Sequence, residues 1–202
     1  MISKKLKSPW VLPRTKACGF SSSILTLEKR NAQVWVETVL YLLVGLAVIA
    51  AILAFVRPKI AEIQDKIILD QSVDLLKQLD GKINDVWNNG EGNKKLAEIV
   101  IRKGDLTIDP KSESIKFVME DSKVVYSQLN TVAPIGSINV LTKKTSSGQS
   151  VELWLNYTGV FNLTYAGADT EKILTKAPTP YKVSITNIKL GNENYIDIDL
   201  VS

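Results

Sequence analysis

The sequence predicts an α+β protein, in which one long amino-terminal helix is followed by an antiparallel β-sandwich or partial-barrel domain. Three observations predict it: a charge-poor apolar run, an amphipathic helical pattern that continues from it, and a change to a two-residue period after Lys94. We divide the chain into a basic leader (residues 1–32), an apolar helix (33–57), its amphipathic continuation (58–87) and a β-domain (94–202).

The apolar run extends from Val34 to Val56, and Glu37 is its only charged residue. At about 1.5 Å per helical residue the run reaches roughly 34 Å, which is enough to cross the hydrocarbon core of a membrane. It is longer than the apolar core of an ordinary secretory signal, and it lacks a clean Ala-x-Ala exit. The run therefore predicts a membrane-spanning helix.

The basic excess of the chain lies ahead of this helix. Residues 1–32 hold seven basic residues and one acid, which leaves 18 basic and 20 acidic residues in the remainder. A basic flank predicts a cytoplasmic amino terminus, so everything after Val56 is expected outside the cell. Because the remainder is slightly acidic, it lacks the basic footprint of a nucleic-acid-binding domain. Pro9, Pro13 and a serine run predict that residues 1–28 form a disordered basic tail.

The composition also removes most catalytic classes. Histidine is absent and the single cysteine, Cys18, lies in the leader. This excludes histidine bases, Ser-His-Asp triads, the commonest zinc sites and any disulfide in the remainder. Asp197 and Asp199 share one face of a predicted strand, and we interpret them as the solvated side of an edge strand. We predict no enzyme activity, no cofactor and no metal site.

Glu37 is unusual because a carboxylate inside a spanning helix is costly unless something pairs with it. It lies one turn into the helix, so its side chain can reach back to the lipid headgroups. A second explanation follows if the chain is cut after Ala32. Gln33 then becomes a free amino terminus four residues before Glu37, and ammonium and carboxylate neutralise each other within one chain or between neighbours.

This stretch resembles the precursors with class III signal peptides, the type IV pilin-like family, in its archaeal form. The matching residues are Lys29 and Arg30, the small Ala32, Gln33, Glu37 and the apolar helix that follows. The resemblance implies that a membrane aspartyl peptidase cuts Ala32–Gln33 and that Glu37 pairs with a neighbour's amino terminus during assembly. Bacterial relatives usually have glycine before the cut and a methylated phenylalanine after it. This chain has Ala32 and Gln33 at those two positions, and its leader of 32 residues is long, so it departs from the bacterial pattern in both respects.

The resemblance implies a structural, pilin-like subunit of an extracellular filament or pseudopilus, with a role in adhesion. Its implied partners are further pilin subunits, the prepilin peptidase, an assembly ATPase, a platform membrane protein and the membrane itself. The alternative is an uncleaved, single-pass module that anchors in the membrane and binds an envelope component. The state of the Ala32–Gln33 bond separates the two.

The amphipathic pattern predicts that the helix continues to about Trp87, with a bend near Pro58 and an end at the Asn/Gly-rich residues 88–93. We assign its apolar residues to a single stripe that a folded domain covers. They are Ile60, Ile63, Ile67, Leu75, Leu76, Leu79, Ile83, Val86 and Trp87.

Beyond Lys94 the pattern predicts seven to nine short strands. A hairpin turn is predicted at Lys103-Gly104-Asp105, and Val124–Tyr126 is predicted to form a strand. Asn156-Tyr157-Thr158 and Asn162-Leu163-Thr164 match the acceptor pattern for N-linked glycans. On an extracellular domain Asn156 and Asn162 are therefore candidate glycosylation sites.

Overall fold

The computed structural model describes residues 24–191 and 193–201, with side chains from Val34 onward except that of residue 190. The chain divides into two compact units, one that ends at Leu53 and a second that comprises Ala54–Ser202. This boundary assigns the amphipathic part of the helix to the same unit as the β-strands.

Helix α1 runs from Ile24 to Asn88, so the predicted long helix is confirmed and is ten residues longer at its start. The prediction that residues up to 28 form no helix is wrong for Ile24–Glu28, and the preceding residues lie outside the described part. Pro58 lies inside α1. The helix ends as predicted at an Asn/Gly segment, in which Gly90 adopts a positive φ of 85°.

The β-domain contains ten strands, and the α+β fold class is confirmed. Their bounds are β1 Lys94–Ile99, β2 Asp105–Asp109, β3 Ser114–Ser122, β4 Val132–Ile135, β5 Ile138–Lys144, β6 Gln149–Asn156, β7 Asn162–Tyr165, β8 Lys172–Leu174, β9 Tyr181–Leu190 and β10 Glu193–Leu200.

The strands form two sheets. One sheet has four strands in the order β1-β9-β10-β7, and the other has six in the order β4-β5-β6-β3-β2-β8. All pairs are antiparallel except β7 with β10, which run parallel with Asn162 opposite Tyr195. Burial alternates along β3, β5 and β6, which is the pattern of strands with one face on a core.

Two strand-level predictions are corrected. Residues 103–105 form no hairpin turn, because β1 pairs with β9 whereas β2 pairs with β3 and β8 in the other sheet. The segment crosses between sheets, and Gly104 allows it: a Cβ there would lie 2.5 Å from the Val118 carbonyl oxygen. Val124–Tyr126 lies in a loop rather than a strand.

Two strands were not predicted, and both lie at an edge of the six-stranded sheet. Strand β4 contains Pro134, which is tolerated at an edge because proline lacks a ladder donor. Strand β8 has only three residues, too few to display a period.

One hydrophobic core joins α1 to both sheets. The helix contributes a row of fully or almost fully buried side chains to it. They are Leu69, Val73, Leu76, Leu79, Ile83 and Val86. The C-terminal third of α1 is thus an integral part of the β-domain.

Candidate functional site

The apolar part of α1 has its described side chains on the surface of the first unit. Trp35 is 71% exposed, and every residue from Val34 to Leu53 is exposed. Helix α1 is long and apolar enough to span a membrane, and no residue of its most apolar stretch is buried by the remainder of the chain. Such a surface needs lipid or other helices around it.

Glu37 is the acidic position on this apolar surface. Its carboxylate accepts a hydrogen bond of 3.3 Å from the Tyr41 hydroxyl, one turn further along. Thr38 donates to the Val34 carbonyl oxygen at 2.9 Å. Among the side chains described from Val34 onward, none forms an ion pair with Glu37. The carboxylate is therefore available to a cation from the preceding residues or from another chain.

The predicted processing residues fall at the beginning of α1. Lys29, Arg30, Ala32 and Gln33 are helical in backbone, and their side chains lie outside the described ones, as does the whole of Cys18. The Ala32–Gln33 bond thus lies inside α1, about two and a half turns from its start.

Asp65 marks the point at which α1 enters the β-domain. Among the helix side chains described from Val34 onward it is the first that is buried, although it is charged. One carboxylate oxygen accepts from Lys103 Nζ at 2.6 Å, and the other accepts from the Lys123 backbone N–H at 2.8 Å. Both partners come from loops of the β-domain, so this acid fixes where the docked part of the helix begins.

Asp80 forms a second polar anchor between helix and sheets. Its carboxylate accepts from the Tyr157 hydroxyl at 3.0 Å, from Ser137 at 2.8 Å and from Asn84 on the same helix. Burial, together with the charge of Asp80 and the hydrogen bond to it, raises the pKa of Tyr157 well above 10.0. Tyr157 therefore stays a neutral donor across the physiological pH range.

A similar, more exposed contact joins Asp70 to the β-domain. The Tyr126 hydroxyl donates to Asp70 at 2.8 Å. Partial burial and the neighbouring acids Asp70 and Asp74 raise the pKa of Tyr126 above its ordinary value. The helix is thus held to the domain by acids at three successive levels.

The single apolar stripe predicted for residues 60–87 is wrong. Ile60, Ile63 and Ile67 are 48%, 59% and 48% exposed, whereas Ile83 and Leu76 are fully buried. At about 100° per residue, the first group lies on the side of the helix opposite to the docked row. The helix therefore has two apolar faces, of which the β-domain covers one.

The two glycosylation candidates differ in their surroundings. Asn156 is exposed, and its side-chain oxygen accepts from the backbone N–H and the hydroxyl of Thr158 at 3.0 and 2.7 Å. Asn162 is half-buried, and its amide nitrogen donates to Glu193 at 3.1 Å, while its sequon threonine, Thr164, is almost fully buried. The folded domain presents Asn156 more readily to a modifying enzyme.

The prediction that Asp197 and Asp199 lie on an edge strand is wrong, because β10 lies between β9 and β7 in its sheet. Asp197 accepts from the Thr164 hydroxyl at 2.8 Å and from the Gly167 N–H at 2.7 Å, which fastens β7 and the following turn to β10. Asp199 is exposed on the same face. Within residues 24–191 and 193–201, no group of three or more acidic, histidine or cysteine side chains is arranged to hold a metal ion.

Trp154 is half-buried and lies on the opposite face of β6 from Leu153 and Leu155. Trp87 does pack against the core, with its ring centroid 5.1 Å from that of Phe161.

In comparisons with protein families, curated proteins and solved structures, no match to this chain was found.

Proposed function

We propose that the protein is a structural, pilin-like subunit, processed after Ala32 and assembled through α1 into an extracellular filament or pseudopilus. The observation that carries the proposal is the exposed apolar part of α1, with Glu37 as its acid. In the membrane lipid covers this surface; in a filament neighbouring helices cover it. Extraction exchanges one set of apolar contacts for another, so the assembly ATPase and platform protein supply the work.

Glu37 provides the specificity of assembly in this proposal. Cutting Ala32–Gln33 creates an ammonium group four residues ahead of it, and an ammonium–carboxylate pair in an apolar surrounding is strongly favoured over either charge alone. The Tyr41 hydroxyl orients the carboxylate from one turn below. A chain added to the filament is then accepted in the register that pairs its own amino terminus with a neighbour's Glu37.

The β-domain faces outward and away from the helix core in this proposal. Its surface carries the adhesive or glycosylated face. Residues 94–202 hold 13 basic and 12 acidic residues, and this nearly neutral balance gives no reason to expect a nucleic-acid partner. The protein acts by assembly and contact rather than by catalysis.

The variant Glu37→Ala tests this function in the native host. We expect the leader to be removed largely as in the wild type, because the cut precedes Glu37, while filament number falls strongly. Glu37→Asp, which keeps the charge on a shorter side chain, is the matched control and should assemble better than Glu37→Ala. Normal filaments in the Glu37→Ala strain, seen by electron microscopy and by recovery of sheared material, would refute the assigned role.

The runner-up is an uncleaved membrane-anchored module that binds an envelope component. In such a module α1 stays continuous from Ile24 through Ala32–Gln33, as it is in the uncut chain. It predicts that the native protein keeps its leader and that Glu37→Ala changes nothing about the cell surface.

A further inference from the structure

A row of four exposed β-branched residues lies on α1 in the second unit. Val56, Ile60, Ile63 and Ile67 are each between 41% and 59% exposed. The residues around the three isoleucines are largely polar: Arg57, Lys59, Glu62, Gln64, Asp65 and Lys66. Three of the four members therefore lie beyond the apolar run, in a segment whose other residues are largely polar.

The spacing of this row is that of a coiled coil. Its members are four, three and four residues apart, and this alternation of four and three, when it is sustained, gives the 3.5-residue period. In the sequence the same alternation of three and four extends back without interruption through Leu53, Ile49, Leu46, Leu42, Val39 and Trp35. Within the apolar run almost every position is apolar, so the period is informative only at Ile60, Ile63 and Ile67, where the neighbouring residues are largely polar. An apolar row with this period among polar residues is the pattern of a left-handed helix bundle.

The row has a defined end. The next two positions in the same alternation are Asp70 and Asp74. Asp70 accepts the hydrogen bond from Tyr126, so at that level the β-domain's own loop occupies the helix surface. Ile67 is therefore the last residue of the row that another helix can reach.

The β-domain leaves this row uncovered because it uses the opposite side of the helix. The docked side begins at Asp65 and continues through Leu69, Ser72 and Leu76. These positions lie about 180° from Ile60, Ile63 and Ile67 at 100° per residue. No rearrangement of the folded domain is needed for a second helix to reach the row.

We propose that the row formed by Val56, Ile60, Ile63 and Ile67 is the site at which membrane-inserted copies of this chain associate with one another before filament assembly, as a parallel left-handed coiled coil. The inference rests on the proposed function in one respect, that α1 spans the membrane with every copy inserted in the same direction. Uniform insertion makes the helices parallel, and identical rows on parallel helices are complementary to one another.

The flanking charges permit this arrangement. With Ile60 and Ile67 at heptad position a and Val56 and Ile63 at d, a parallel coil places Lys59 of one copy opposite Gln64 of the next. No pair of like charges meets across the seam at this level. Lys59 is also held by its own Glu62 at 2.8 Å. Because the a and d positions of the row are all β-branched, a bundle of three or four helices is favoured over two.

Single-cysteine crosslinking of the full-length chain tests this pairing. In a Cys18→Ser background, Ile60→Cys, Ile63→Cys and Ile67→Cys are compared with Glu62→Cys, which lies on the same segment but off the row. The chains are expressed in host membranes that lack the peptidase and the assembly proteins, and are oxidised there. We expect disulfide-linked dimers several-fold more abundant at 60, 63 and 67 than at 62. Ile63→Lys should abolish crosslinking of Ile60→Cys, whereas Glu62→Lys, which lies off the seam, should not.

The outcomes separate this inference from the proposed function. Equal crosslinking at all four positions, or none, overturns the pairing and assigns the row to lipid headgroups or to a different protein, while cleavage and filament formation can still be observed in the native host. Conversely, a chain that keeps its leader in the native host contradicts the proposed function and leaves a positive crosslinking pattern intact.

Discussion

The two parts of helix α1 on either side of Asp65 differ in what covers them. From Leu69 to Val86 one face is buried in a core that both sheets share, and acids at 65, 70 and 80 fix it in place. From Val34 to Ile60 every residue is exposed. The part from Leu69 to Val86 stabilises the β-domain, and the part from Val34 to Ile60 leaves its apolar surface to other molecules. The exposure of the side chains along α1 thus distinguishes the residues that stabilise the fold from those that are free for assembly.

The largest expected effect comes from a pair of identical substitutions in the two parts. Ile83→Ala removes a fully buried side chain and should lower the free energy of unfolding by about 2–5 kcal/mol. Ile63→Ala, on the exposed row, should change it by less than about 0.5 kcal/mol. Hydrogen exchange of the β3 and β6 amides in the detergent-solubilised full chain measures both. Equal effects would mean that the two faces are not distinct.

The second prediction concerns the entry point of the helix into the domain. Asp65→Ala leaves the Lys123 N–H and Lys103 without their acceptor, and should cost about 1–3 kcal/mol. Glu62→Ala, which removes the exposed partner of Lys59, is the matched control and should have no measurable effect. The same hydrogen-exchange measurement distinguishes the two variants. An unchanged free energy of unfolding in Asp65→Ala would contradict the anchoring role of this acid.

The third prediction is a dependence on alkaline pH that belongs to the docked part alone. The folded chain keeps the Tyr157 proton at a pH where the unfolded chain, with a pKa near 10.0, has lost it. The stabilising contribution of Tyr157 is thus complete below pH 10 and declines above it. The slope of stability against pH above 10 should be shallower in Tyr157→Phe than in the wild type. Tyr126→Phe should change the slope less, because Tyr126 is more exposed.

The smallest expected effect tests whether the β-domain lies outside the cell. If it does, and if the host modifies this sequence, mass analysis of native peptides should find a glycan on Asn156 and not on Asn162. Asn156→Gln should remove the added mass, and Asn162→Gln should leave it unchanged. A glycan on Asn162 alone would show that the exposure of the asparagine in the folded domain does not decide the site.

The order of the elements could be predicted from the sequence because helix and strand periods are local. The two faces of α1 could not be separated in this way. Ile67 and Leu75 are eight residues apart, close to two helical turns, so a continued stripe and a change of face look alike over that gap. The predicted apolar stripe also omits Leu69 and Val73, which are buried near the start of the docked face.

Contacts between distant residues were the other part that sequence could not supply. Lys103 meets Asp65 across 38 residues, and β7 runs parallel to β10 across about thirty. Neither leaves a local pattern. The hairpin expected at 103–105 failed for the same reason, because the local turn signal was real but the strands it joins pair elsewhere. Glu37, by contrast, could be found from sequence, since one acid in an apolar run is a local anomaly.

The central claim is that the exposed part of α1 is released from a leader so that it can assemble. The amino-terminal residue of the protein purified from its native membrane, read by intact mass and terminal peptide sequencing, tests it most directly. We predict that the chain begins at Gln33, with Glu37 as its fifth residue. A chain that begins at Met1 or its neighbours would contradict the claim, and the exposed helix would then be a permanent membrane anchor.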